Sequence, residues 1–152
     1  MVQWSGVLEI LKYNGYLLPY IDCKPEDDFF SAVQRIGATG ILRGKGIPYK
    51  WANQTWFYPD SLVNVELLHA HLSEFDERLD DLSLEGMYLD VGTSIELITA
   101  LQKIYALASK EIDVIGPDER FLSRAEFAKL LDTYVDPFHM SDVDHLGVIK
   151  PN

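Results

Sequence analysis

A mainly α-helical (all-α) fold is predicted by three features of this sequence. Apolar residues recur at helical spacing in several separate stretches, two hydroxyl-x-x-Glu strings stand just ahead of such stretches, and glycines punctuate between them. The unit so predicted is a single helical module over residues 1–152. It consists of two degenerate helix-loop-helix repeats, at about 26–79 and 93–135, with an added N-terminal helix and one short β-hairpin.

Trp4, Val7, Leu8 and Leu11 fall on one helical face, and Asn14-Gly15 stops that helix before an extended "YLLPYID". A second helix is predicted from about Glu26 to Ala38, with Phe29, Val33 and Ile36 on one face. Glu26, Asp27 and Asp28 would then stand at the end of the helix that favours negative charge. Gly37 and Gly40 break it. "GKGIPYKWANQTWFYPD" carries aromatic and Thr-rich ends around Ala-Asn-Gln and predicts the hairpin. A long helix follows from Ser61 or Asn64 to about Leu79, striped by Leu68, Leu72, Phe75 and Leu79. Thr93–Glu96 ("TSIE") and Ser123–Glu126 ("SRAE") each predict a capping box. The first opens a helix striped by Leu97, Leu101, Ile104 and Ala108, and the second one striped by Phe127, Leu130, Leu131 and Tyr134.

The chain has 152 residues, 47% of them hydrophobic and 24% charged, which is the composition of a folded globular domain rather than a disordered one. Its net charge of −11 opposes binding to a phosphate backbone, so nucleic acid is excluded as a partner. The single cysteine, Cys23, excludes an internal disulfide and a cysteine-rich zinc site. The start "MVQWSGVLEILKYNG" lacks a basic leader and carries Glu9 inside its apolar stretch, so it reads as an amphipathic helix and not a signal peptide. No stretch approaches the roughly 20 apolar residues of a membrane span.

"RIGATGILRGKGIPYKW", residues 35–51, resembles a phosphate-binding loop at first sight, but both glycine fingerprints fail. Thr39 stands where a Walker loop needs its first glycine, Gly46 where it needs a hydroxyl, and Thr39 again where a dinucleotide loop needs its second glycine. The glycines therefore end a helix and make tight turns. His69 and His71, two apart on a helix, point to nearly opposite sides and cannot share a metal ion. "HMSDVDH" at 139–145 lacks a ligand spacing, and the acid-rich "EFDERLDDLSLE" lacks the glycine of a calcium loop. No nucleophile has a base beside it in sequence, so the chain is read as non-enzymatic and without a cofactor or metal of its own. What stands out is aromatic density beside cations. Tyr49, Trp51, Trp56, Phe57 and Tyr58 lie close to Arg43, Lys45 and Lys50, with Asn53 and Gln54 between them. Such a group can stack on a sugar face and bind hydroxyls or acidic substituents, with Trp51 and Trp56 as the stacking residues.

"FFSAVQRIGATGILRG", then "FYPD", then "FLSRAEFAKLL" resemble S-layer-homology repeats, in which a helix ends in a glycine-bearing turn, a Phe-x-Pro-like segment follows, and a Thr-Arg-Ala-Glu-like string starts the next helix. The second copy keeps that string as Ser123-Arg124-Ala125-Glu126, whereas the first has Asn64, Val65 and Glu66 in its place. "AVQRIGATGILRGKGIPYKWANQTWFYPD" is also similar to the C-terminal tail of bacterial FAD-dependent oxidoreductases, some of them labelled xanthan lyases. These resemblances imply a non-catalytic C-terminal binding or assembly module of an exported bacterial flavoprotein, periplasmic or at the cell surface, whose leader and flavin domain lie outside this chain. By resemblance, Arg124 is the key cation for an acidic cell-wall polysaccharide, supported by Arg43, Gly40 and Gly44. The alternative they imply is an intramolecular or oligomeric docking domain of the parent flavoprotein, with no ligand of its own.

Overall fold

The structure is a computed structural model that describes residues 4–15, 18–114, 116–146 and 148–152. Helix α1 spans Trp4–Asn14 and is followed by Gly15, whose φ of 92° turns the chain out of the helix. Leu8 and Leu11 of its predicted stripe are buried, while the Trp4 and Val7 side chains lie outside the described residues, as do Tyr16 and Leu17 of the predicted extended segment. Helix α2 spans Phe30–Thr39 and ends at Gly40 with φ 82°. It starts later than predicted because Pro25 to Phe29 fold into turns. Asp27 closes one of these by accepting from the Lys24 amide at 2.8 Å.

Strands β1 (Lys45–Tyr49) and β2 (Ala52–Trp56) form the predicted hairpin, antiparallel, with Ile47 opposite Gln54. Asp22 fixes its exit, its two carboxylate oxygens accepting from the Phe57 amide at 2.9 Å and the Tyr58 amide at 2.7 Å. Helix α3 (Val65–Phe75) is shorter than the predicted run to Leu79. Asp76 turns extended at φ −152° and caps a separate 3-10 turn, Glu77–Leu79. Helices α4 (Val91–Ile104) and α5 (Arg124–Tyr134) follow, and β3 (Ser141–Val143) pairs antiparallel with β4 (Ile149–Pro151).

The all-α prediction is therefore overturned. Among the described residues the chain is mixed, with five α-helices and two separate two-stranded antiparallel sheets. The second sheet was invisible to periodicity because each strand is three residues long, and Ser141-Asp142-Val143 shows no alternation that such a length could reveal.

Three helix starts organise the core. Leu62-Val63-Asn64, Tyr88-Leu89-Asp90 and Phe121-Leu122-Ser123 each run extended into a helix, the last residue of each capping α3, α4 or α5. Antiparallel bridges join Asn64 to Tyr88, Asp90 to Phe121 and Ser123 to Leu62, closing the three segments into a ring. The amides of Val65, Leu89, Val91, Leu122 and Arg124 donate across it at 2.8–3.0 Å. Strand alternation then sends the middle residues inward, leaving Val63, Leu89 and Leu122 at 1%, 0% and 0% exposure. Burying such residues contributes about 1.5–3 kcal/mol each, so the ring is a centre of the main core. Helix α2 packs on α5, and Arg35 closes that contact with a bidentate pair to Asp132 at 2.8 and 2.6 Å. α1 packs on α2 and on the β3–β4 pair, over a smaller cluster of Leu8, Leu11, Ala38, Phe138 and Ile149.

Candidate functional site

Between the end of the β1–β2 hairpin and the N-terminal half of α3 lies a groove of about 250 Å³. It is lined by Arg43, Lys45 and Arg124 together with Tyr58, Ser61, Asn64 and His71, over a floor of Leu42, Leu62, Val63, Leu67 and Leu68. No carboxylate is among the lining residues. Three cations thus meet in one concavity of a chain whose net charge is −11.

Each cation is placed by a different element. Arg124 opens α5, and its half-buried guanidinium donates from Nε to the Phe57 carbonyl at 2.9 Å and from Nη2 to the Arg43 carbonyl at 2.6 Å, 4.6 Å from the Phe57 ring centroid. Those bonds leave its Nη1 donors free among the described residues. Arg43 follows the α2 terminus. Its Nε donates to the Gly40 carbonyl at 2.8 Å and its Nη2 pairs with Glu74 of α3. Lys45 is exposed at the first position of β1, opposite Trp56, and its ammonium has no ion-pair or hydrogen-bond partner among the described residues.

The glycines serve this geometry as backbone. Gly40 takes the left-handed conformation that ends α2. At Gly44 a Cβ would come within 2.6 Å of Tyr20 Cε1 and 2.9 Å of Thr55 Cγ2, so only glycine lets the chain pass between them. Arg124 thus bonds the Arg43 carbonyl and Arg43 the Gly40 carbonyl, with Gly44 next in the same loop, while neither glycine lines the groove. Trp56 stands next to the groove rather than in it, its ring stacked on Tyr58 at 6.3 Å and 24°. Trp51 is elsewhere, 92% exposed in the hairpin turn beside Lys50, whose ammonium lies over both the Tyr49 and Trp51 rings.

Sequence reasoning named Tyr58 within the aromatic group but missed Ser61, Asn64 and His71 as lining residues. Asn64 had a signal, its position just before an apolar helical stripe, and serves as the α3 cap by accepting from the Leu67 amide at 2.9 Å. His71 had none, because its neighbours across the groove come from 28 and 53 residues away in sequence. Burial lowers the His71 pKa from its ordinary value, and the charge of Arg43 lowers it further. The Ile41 backbone contact and Glu74 oppose these effects, and Arg124 adds to them.

The remaining candidates resolve into structural roles. His69 donates from Nε2 to the Asp80 carbonyl at 3.0 Å, and His139 pairs with Asp136 at 2.8 Å. Among the described residues no group of His, Cys, Asp and Glu is arranged to hold a metal ion. Cys23 is buried, and its thiol is pushed up to about 12, first by burial and then by the charge and hydrogen bond of Asp22. Burial and Asp22 thus favour its protonated form at neutral pH. Comparison of the chain with protein-family models, with curated proteins and with solved structures finds no match.

Proposed function

We propose that this chain is a non-catalytic binding module that takes an acidic polysaccharide, one acidic sugar unit at a time, in the groove between the hairpin and α3. The observation that carries this reading is the convergence of Arg43, Lys45 and Arg124 on a groove with no lining carboxylate. At about 250 Å³ the groove is smaller than the ~300–1,000 Å³ that holds drug-sized ligands, which fits a single monosaccharide of a longer chain. Tyr58, backed by Trp56, offers a stacking surface at the mouth, and Ser61 and Asn64 offer hydroxyl and amide partners. The resemblance of Ser123-Arg124-Ala125-Glu126 to the helix start of wall-attachment repeats supports the same reading and an exported setting.

Lys45 is the residue to test, because it is exposed and holds nothing else in place. Isothermal titration with polygalacturonate and with neutral dextran should show binding to the first only. Lys45→Ala and Arg43→Ala should each weaken it by roughly 1.5–3 kcal/mol, the contribution of a charge-assisted hydrogen bond. Equal binding of the two polymers, or no effect of Lys45→Ala, would overturn the reading.

A further inference from the structure

The ring of helix starts presents a second surface. Paired residues of an antiparallel bridge point to the same side, and so do residues two apart along a strand. Following the bridges round, Leu62, Asn64, Tyr88, Asp90, Phe121 and Ser123 all face outward from one pole, opposite the inward Val63, Leu89 and Leu122. The polar three are engaged as helix caps, Asn64 accepting from Leu67, Asp90 from Thr93 and Ser123 from Glu126. The apolar three are left to solvent at 40%, 38% and 48% exposure, and Met87 beside them at 68%. Tyr88 and Phe121 touch edge to face with centroids 6.0 Å apart, and with Met87 they form the part of the pole that does not line the cationic groove.

Charge decides what can cover it. The exposed charges in the segments that carry Met87, Tyr88 and Phe121 include Glu85, Asp118 and Glu119, none with an ion-pair partner among the described residues. Arg120, the cation of that stretch, is bound to Glu126 at 2.9 and 3.2 Å. A second copy of a chain with net charge −11 would bring acid against acid. We infer that the Met87–Tyr88–Phe121 face docks a basic, apolar protein segment, such as an amphipathic helix with Leu on one side and Lys or Arg along its edges. The face adjoins the glycan groove at Asn64, which lines the groove and bridges to Tyr88, but Met87, Tyr88 and Phe121 themselves do not line it, so variants at these three test the proposal apart from that reading.

The test uses the full chain and a synthetic 18-residue Leu/Lys amphipathic helix, with a Leu/Glu helix of the same pattern as control. Titration at physiological salt, followed by ¹H–¹⁵N spectra, should show saturable binding of the Leu/Lys peptide alone, with shifts centred on Met87, Tyr88 and Phe121. Tyr88→Ser with Phe121→Ser should lower its affinity at least tenfold, as should Asp118→Lys with Glu119→Lys, which leaves the aromatic pair intact. Trp51→Ser, an exposed aromatic off this face, should have no effect. Shifts spread over other acidic surface, equal loss in Trp51→Ser, or unchanged binding in the charge-reversed variant would overturn the inference. So would concentration-dependent self-association that the Tyr88/Phe121 double variant abolishes, since the occupant would then be a second copy.

Discussion

Arg124 binds the carbonyls of Phe57 and Arg43 at once, at 2.9 and 2.6 Å, with its guanidinium 4.6 Å from the Phe57 ring centroid. It is both a groove cation and the tie between α5 and the two ends of the hairpin connection. Arg124→Ala should therefore destabilise the fold by roughly 2–6 kcal/mol, on about 1–3 kcal/mol for each of the two carbonyls left unsatisfied. Arg124→Lys should recover only part, because an ammonium cannot bridge both carbonyls and stack as a planar fork does. Urea denaturation checks this. A midpoint unchanged in Arg124→Ala would show that water replaces the guanidinium without cost.

His71 predicts a pH dependence with opposite signs in two measurements. Its folded-state pKa lies below the ordinary 6.5, so the unfolded chain takes up the proton more readily. The stability that neutral His71 contributes is full above about 6.5 and is lost as pH falls below it, down to the folded-state pKa. An anion seated among Arg43, Lys45 and Arg124 would favour the protonated ring, so affinity for polygalacturonate should rise over the same interval. His71→Gln should flatten both profiles. Melting temperature and titration between about pH 7 and pH 5 would show it, and parallel rather than opposed trends would remove His71 from the groove's chemistry.

The caps give a sharper test of where helices begin. Ser123 accepts from the Glu126 amide at 3.1 Å and Glu126 accepts from the Ser123 amide at 3.2 Å, a complete capping box. Ser123→Ala should cost about 0.5–2 kcal/mol. The other predicted box, Thr93–Glu96, does not form, because α4 is capped three residues earlier by Asp90, which accepts from the Thr93 amide at 2.8 Å. Asp90→Ala should carry a cost like that of Ser123→Ala, and Thr93→Ala close to none. Thermal denaturation of the three variants separates the two assignments.

How far the sequence was legible follows from the range of each interaction. Helices α1 to α5 were visible because their stripes and caps are local, and the α5 box was read to the residue. The three-segment ring was missed because its bridges join residues such as Leu62 and Ser123, whose pairing depends on the whole topology. Asp90 was passed over in favour of Thr93 because hydroxyl-x-x-Glu is a familiar string, while an Asp cap leaves no partner three residues on. At the groove, Arg124 had been singled out through the resemblance of Ser123-Arg124-Ala125-Glu126 and Arg43 through the glycine loop, while Trp51 lies away from the groove. Proximity in sequence to Arg43 said nothing of a hairpin turn that carries Trp51 out into solvent.

Gly37, expected to help break α2, does not end it. It lies within α2, where alanine would ordinarily gain about 1 kcal/mol in helix propensity. A Cβ there would sit 2.3 Å from the Tyr20 hydroxyl, 3.3 Å from Cζ and 3.1 Å from Leu18 Cδ1, so Tyr20 crosses the helix through the notch glycine leaves. Tyr20 is 7% exposed and packs on Phe57 at 5.3 Å, which leaves it little room to retreat. Gly37→Ala should destabilise by about 1–3 kcal/mol, as overpacking does. Tyr20→Phe removes the closest atom, so in that background Gly37→Ala should come close to neutral as the helix-propensity gain offsets the residual contact with Leu18. A double-mutant cycle on urea midpoints measures this as a coupling of at least about 1 kcal/mol. Additive effects would mean that α2 shifts as a body instead. Neither outcome depends on a phosphate ligand, and the coupling, if found, assigns this glycine to the passage of Tyr20.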